Sequence, residues 1–287
     1  MQSPTGNAQN AEQFYDTHSG EYVAKWSRID AEPDRPAHVY RKEIIRALID
    51  LARVEPGDEV LEIGCGTGLV LRELLERTKP IWGTDISRAM LERAREELSS
   101  AVSVAIVDGF DPPPPEPSDG LLQGGAQDVL LVHGDMLGLE LPPGRFDRIL
   151  SMEVLRYIAD LDGALQRVRA AMGERTTFAF TVTNVWSASL FPVKYSLRRR
   201  LGRVDVDAEL LQYFVTERGI RSAVERNGLR LVELRKLNLL TFNPLASRTA
   251  RDRAGAERLV ALDRKLERVP LLRNAFDTLL LSVRRAS

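Results

Sequence analysis

The sequence predicts an α/β fold on a doubly wound, mostly parallel sheet, and three observations carry that expectation. Apolar Val60, Leu61 and Ile63 run into Gly64-Cys65-Gly66-Thr67-Gly68, a turn that joins a buried strand to a helix and lets the backbone approach a ligand closely. Downstream of that turn, apolar runs of strand length alternate with helical stripes. Acidic Asp85 and Asp135 stand just past two of those runs, at the sheet edge where open parallel sheets bind ligands. The glycine spacing argues against a dinucleotide fingerprint. Its third glycine would fall at position 69, where Leu69 stands, and the glycine is Gly68 instead.

Residues 1–10, rich in Ser, Pro, Gly, Asn and Gln, predict a disordered lead-in. Residues 11–53 predict a helical cap. Phe14, Tyr15, Tyr22 and Trp26 recur at helical spacing, with Tyr15 and Tyr22 two turns apart on one face. A second helix has Asp34 as its expected N-cap, Pro36 in its first turn, and a stripe of Ile44, Ile45, Leu48 and Leu51.

The core is expected over residues 54–287. Its seven strands are 60–63, 80–84, 129–133, 146–151, 177–183, 229–234 and 278–283, with 103–108 as a fallback for the third. Between them, Leu71, Leu74 and Leu75 mark one helix. Ser87 caps another that buries Leu91, Ala94 and Leu98, and Leu161, Leu165, Val168 and Met172 mark a third, stopped by Gly173. A helix ending at Asn227-Gly228 and one over 251–269 complete the alternation. Residues 109–127, with Pro112 to Pro115 in a row, predict a surface insertion. Residues 185–215 are irregular and rich in aromatics and arginine, and 241–273 form an extra helical insertion.

Composition narrows the function classes. The 287 residues, 44% hydrophobic, suffice for one large core. Lys and Arg number 40 against 41 Asp and Glu, so no global field recruits nucleic acid. A single cysteine, Cys65, excludes an internal disulfide framework and any multi-thiolate zinc cluster. The opening residues lack an apolar signal core, and no run approaches the ~18 apolar residues of a membrane span. A cytoplasmic, soluble protein is expected.

Taken in order, the glycine turn, Asp85, Asp135 and the segment from Phe146 to Tyr157 resemble class I S-adenosylmethionine-dependent methyltransferases of the small-molecule type. The resemblance implies a Rossmann-like sheet with an antiparallel last strand, and S-adenosylmethionine as cofactor. It implies that Glu62 is the acidic residue near the strand end, and that Gly64, Cys65, Gly66 and Gly68 pass under the methionine part of the cofactor. Asp85 would accept the ribose hydroxyls, Ile86 and Met90 would line the adenine pocket, and Asp135 with the Met136 N–H would meet the adenine edge. Asp85 also fits a plain helix-start carboxylate, and Cys65 a small packing residue. Ser151-Met152-Glu153 resembles the segment that closes over the methionine moiety, with Ser151 at the cofactor. Glu153 reads as a solvated helix-start carboxylate, a cofactor contact or a general base.

The N-terminal helix resembles a cofactor cap, with Tyr15 and Tyr22 facing the site. Of the histidines, His133 reads as structural, and His18 is the better placed for proton transfer. Residues 185–215 fall where related enzymes carry an acceptor lid, which makes Trp186, Phe191, Tyr195 and Arg198 substrate-binding candidates. The basic cluster of Lys194, Arg198, Arg199, Arg200 and Arg203 reads either as a solvated face or as contact for an anionic acceptor or lipid headgroup surface. No acidic pair follows the fourth strand and Thr183-Asn184 follows the fifth, so no metal is expected. The expected reaction is in-line methyl transfer to a small-molecule acceptor, at a hydroxyl oxygen. Nitrogen, carbon or a lipid-linked acceptor, and a non-catalytic cofactor-binding module, are the alternatives.

Overall fold

A computed structural model describes residues 4–26, 35–110, 128–203, 210–243 and 245–286, with side chains of the first helix from residue 10 to 21. Eight strands form one sheet: β1 (Val60–Ile63), β2 (Ile81–Asp85), β3 (Val104–Asp108), β4 (Val129–His133), β5 (Arg148–Ser151), β6 (Thr177–Thr183), β7 (Leu229–Leu237) and β8 (Thr278–Arg285). Their spatial order is β3-β4-β2-β1-β5-β6-β8-β7. All neighbours pair in parallel except β8, which runs antiparallel to both β6 and β7. The order reverses at β1, which pairs β2 on one side and β5 on the other, so the carboxyl ends of these strands open a crevice.

Eight strands replace the expected seven. Residues 129–133 are indeed the strand beside β2, but 104–108 form a further parallel edge strand beyond it. The two runs are equally strand-like in sequence, and only tertiary pairing gives both a place. Residues 109–128 join them, and 111–127 lie outside the described residues.

Eight α-helices are described: α1 (Pro4–Trp26), α2 (Pro36–Ala52), α3 (Leu69–Leu75), α4 (Arg88–Leu98), α5 (Leu161–Ala171), α6 (Phe191–Arg200), α7 (Glu217–Arg226) and α8 (Arg253–Leu266). Alternate strand residues face opposite layers. Val60, Leu150 and Ala179 pack with α2, α3 and α4. Leu61, Ile149 and Phe178 pack with α5 and α7. Two expectations change here. α1 begins at Pro4, so residues 4–10 are helix rather than lead-in. α2 is not a cap, because Ile44, Ile45 and Leu48 are among the most buried side chains of the core. Asp34 lies outside the described residues, and α2 opens at Arg35-Pro36 with no side-chain cap. Ser87 does cap α4, its Oγ accepting the Met90 N–H at 3.1 Å. After β7, α8 packs on α2 through Ala256 against Tyr40, and Arg264 pairs Glu43 at 2.6 Å.

Candidate active site

The glycine turn takes left-handed backbone at Gly64 (φ 73°), Gly66 (φ 53°) and Gly68 (φ 81°). The Gly64 and Cys65 N–H groups both donate to the Thr84 carbonyl, at 2.7 and 2.8 Å, which folds the turn over the end of β2. That brings the Gly66 N–H to one oxygen of Asp85 at 2.8 Å, while the Ser87 N–H meets the other at 2.9 Å. The carboxylate is thereby fixed at the sheet edge by two backbone donors. Burial pushes its pKa above the ordinary 3.8, and those two N–H groups pull the other way.

Around this turn lies a cleft of about 1070 Å³, counting the part open to solvent. Gly64, Gly66, Asp85, Ile86 and Met90 form its floor, and Gly134 to Leu137 one wall. Asp135 accepts the Leu137 N–H at 3.1 Å, which holds its turn. Ala11 and Tyr15 of α1 close the top, and the Tyr15 ring stands edge-on to Tyr157, centroids 6.3 Å apart. Asp16 fixes α1 there, its Oδ1 accepting from Ser87 Oγ at 2.5 Å and from the Ala89 N–H at 3.2 Å.

Met152 to Val154 and Tyr157 to Asp160 form the opposite wall. Glu153 is held in left-handed backbone, φ 60°, by its N–H donating to Thr181 Oγ1 at 2.7 Å. Its Oε2 pairs with Arg41 of α2 at 2.5 Å, and that guanidinium is only 6% exposed. Behind Glu153 a small polar cavity is lined by Arg156, Thr181, Thr183, Asp277 and Thr278. Burial pushes the Asp277 carboxyl up, against the hydroxyls of Ser187 and Ser189 that donate to it.

Tyr15, Gly64, Gly66, Asp85, Ile86, Met90, Asp135, Met136 and Glu153 are therefore gathered in one cleft. Other expected site residues are not. Ser151 is fully buried, its Oγ donating to the Ile63 carbonyl at 3.2 Å, so it ties β5 to β1 and does not line the cleft. Cys65 packs inward against Gly83, and burial pushes its thiol well above the ordinary value. Gly68 turns into α3 beside Leu98 and Ala94. Glu62 lies beneath the turn, 1% exposed, with a buried Oε2 that has no hydrogen-bond partner among the described residues. Burial first and the Asp85 charge second hold its carboxyl well above the ordinary range, with Arg41 opposing.

His18 is corrected as a catalytic candidate: its ring stacks on Phe14 and its Nδ1 bonds the Phe14 carbonyl at 2.8 Å, away from the cleft lining. His133 is structural, held by Asp108 and the Ile86 carbonyl. The Tyr22 side chain lies outside the described residues. Trp186, Phe191, Tyr195 and Arg198 do not line the cleft. Tyr195 is buried, its hydroxyl bonded to the Leu210 carbonyl and the Gln212 N–H. Phe191 instead lies under the Arg156 guanidinium at 5.8 Å, and Tyr213 donates its N–H to the Arg156 carbonyl at 2.7 Å, so the segment after β6 braces the wall from behind.

Arg41, Asp16 and Asp277 escape sequence reasoning. Arg41 left one trace, a charge in register with the apolar stripe Ile44, Ile45 and Leu48. A family model for methyltransferase domains matches residues 36–234, and the chain belongs to that family, with the class I S-adenosylmethionine-dependent fold. It is 26% identical over 150 residues to aklanonic acid methyltransferase DauC of Streptomyces sp. (strain C5), covering 51% of this chain and 57% of that one. It is 38% identical over 78 residues to nocamycin O-methyltransferase of Saccharothrix syringae, covering 25% and 28%. The chain thus spans between 28% and 57% of the length of these relatives. Its fold superposes on magnesium protoporphyrin IX methyltransferase of Synechocystis PCC 6803, solved with bound SAH, at a TM-score of 0.58 and 13% identity, covering 96% of this chain and 98% of that one.

Proposed function

We propose that the protein transfers a methyl group from S-adenosylmethionine to a hydroxyl oxygen of a small-molecule acceptor. The observation that carries the reading is the placement of Asp85, clamped by Gly66 and Ser87, in one cleft with Asp135 and opposite Glu153. The residues fit the cofactor. Gly66 lines the cleft as bare backbone with ordinary van der Waals room beside it, since a Cβ there would meet only Met90 Cε at 3.5 Å, and the lining is largely apolar with a few polar groups, as in small-molecule sites.

Asp85 would hold the ribose, Ile86, Met90, Asp135 and Met136 the adenine, and Gly64, Gly66 and Tyr15 the methionine end. When bound, the cofactor supplies an electrophilic methyl on a good leaving group. The chain then has to orient the acceptor and exclude water. Tyr15 and Tyr157 cover the cleft for the second task. Glu153, on the wall away from the adenine side, receives the acceptor's hydroxyl hydrogen and aligns its oxygen. Arg41, paired with the same carboxylate, is a positioning residue. The relative named as an O-methyltransferase agrees with oxygen as the acceptor atom.

Calorimetry with S-adenosylmethionine and with NAD tests the cofactor: micromolar binding of the first alone is expected, and binding of neither overturns the reading. A methyl-transfer assay over a panel of hydroxylated metabolites, with Asp85→Ala as control, tests the reaction. Turnover only on amines or carbon acids would overturn the choice of oxygen.

A further inference from the structure

Helix α6 has two apolar sides, and only one is used by the core. Pro192 and Tyr195 turn inward. On the other side Leu190, Val193, Leu197 and Leu201 are 53, 52, 56 and 58% exposed. Their spacing of three, four and four residues sets them in one stripe, about half a turn around the helix from Pro192 and Tyr195. Trp186, 65% exposed, precedes the stripe. Lys194 and Arg198 flank it on one edge and Arg200 on the other. From Trp186 to Arg203 the chain carries five basic residues and no acidic one, in a protein whose net charge is −1.

We infer that this outer face of α6 is a docking surface for an anionic lipid bilayer. A row of exposed aliphatics rimmed by guanidinium and ammonium groups, with an exposed indole at its head, matches acyl chains below and phosphates at their level. The binding is peripheral. α6 has ten residues, and among the described residues no helix is long and apolar enough to cross a membrane. Nucleic acid would use the arginines but gain nothing from the leucine and valine stripe. Phe191, at the start of the same helix, lies under Arg156 of the segment that carries Glu153, so the surface adjoins the back of the cleft wall. The inference goes beyond methyl transfer and does not rest on it.

The full chain is spun with vesicles of phosphatidylcholine alone and of phosphatidylcholine mixed with phosphatidylglycerol. Sedimentation with the mixed vesicles only is expected. It should weaken on the order of tenfold or more in V193E/L197E, which removes the stripe. It should also weaken in K194E/R200E, which reverses the rim but keeps the stripe. Unchanged S-adenosylhomocysteine binding in both variants shows that they fold. No sedimentation, or sedimentation indifferent to either variant, overturns the inference. So does a concentration-dependent dimer abolished by V193E/L197E in protein that leaves vesicles untouched, because a second copy then covers the stripe. Retention on duplex DNA without vesicle binding overturns it as well.

Discussion

Gly64 has a positive φ and no room for a side chain, since an added Cβ would fall 2.1 Å from Val154 Cγ2. Gly64→Ala is therefore expected to destabilise the fold by roughly 2–4 kcal/mol, combining backbone strain with overpacking, and denaturant unfolding reads this directly. Asp85→Ala should weaken S-adenosylmethionine binding on the order of 10- to 100-fold, the loss of a charged hydrogen-bonding partner. Because burial raises the Asp85 pKa above 3.8, affinity should begin to fall at a higher pH on acidification than an ordinary aspartate would dictate. Glu153→Gln should leave cofactor affinity intact and lower kcat by roughly 100-fold or more if the carboxylate takes the proton.

Glu62 provides a test of sign. Its folded carboxyl is held well above 4.5, so the folded state binds the proton more tightly than the unfolded chain does. That contribution to stability is present below the unfolded value and is lost as pH rises through the folded one. Glu62→Gln stays neutral throughout. Its melting temperature relative to the parent should climb as pH rises above the ordinary glutamate range, and a pH-independent difference would contradict this assignment.

At the level of elements, the Asp16 carboxylate of α1 ties that helix to the start of α4, beside the Tyr15–Tyr157 contact over the cleft. Asp16→Ala removes the acceptor of both the Ser87 and the Ala89 bonds. Cofactor affinity should drop several-fold while the melting temperature changes little, since α1 lies outside the main core; calorimetry beside a thermal melt separates the two. The same contact shows where sequence reasoning stops. The glycine turn, Asp85 and Asp135 could be read because strand, turn and acidic residue lie within a few positions of one another and carry local signals of period and backbone freedom. Asp16 and Ser87 are 71 residues apart, and Arg41 and Glu153 are 112 apart. No local pattern encodes such a pair, and only the assembled layers bring it together. His18 misled for the converse reason, because its neighbours Tyr15 and Tyr22 suggested a site while the ring bonds to its own helix.

Across the molecule, the strand order separates two jobs. β3, β4, β2 and β1 carry the glycine turn, Asp85 and Asp135, and β5, β6, β8 and β7 carry Glu153, Thr181 and Asp277. The seam between them is the β1–β5 pairing, stapled by Ser151 Oγ on the Ile63 carbonyl. The register of the seam is set by the main-chain ladder from Val60–Arg148 to Glu62–Leu150, and the buried Ser151 bond closes its end, also on a backbone acceptor. Side chains on the far half of the sheet can therefore change without disturbing the backbone that carries the glycine turn and Asp85, as a socket accepts different tools.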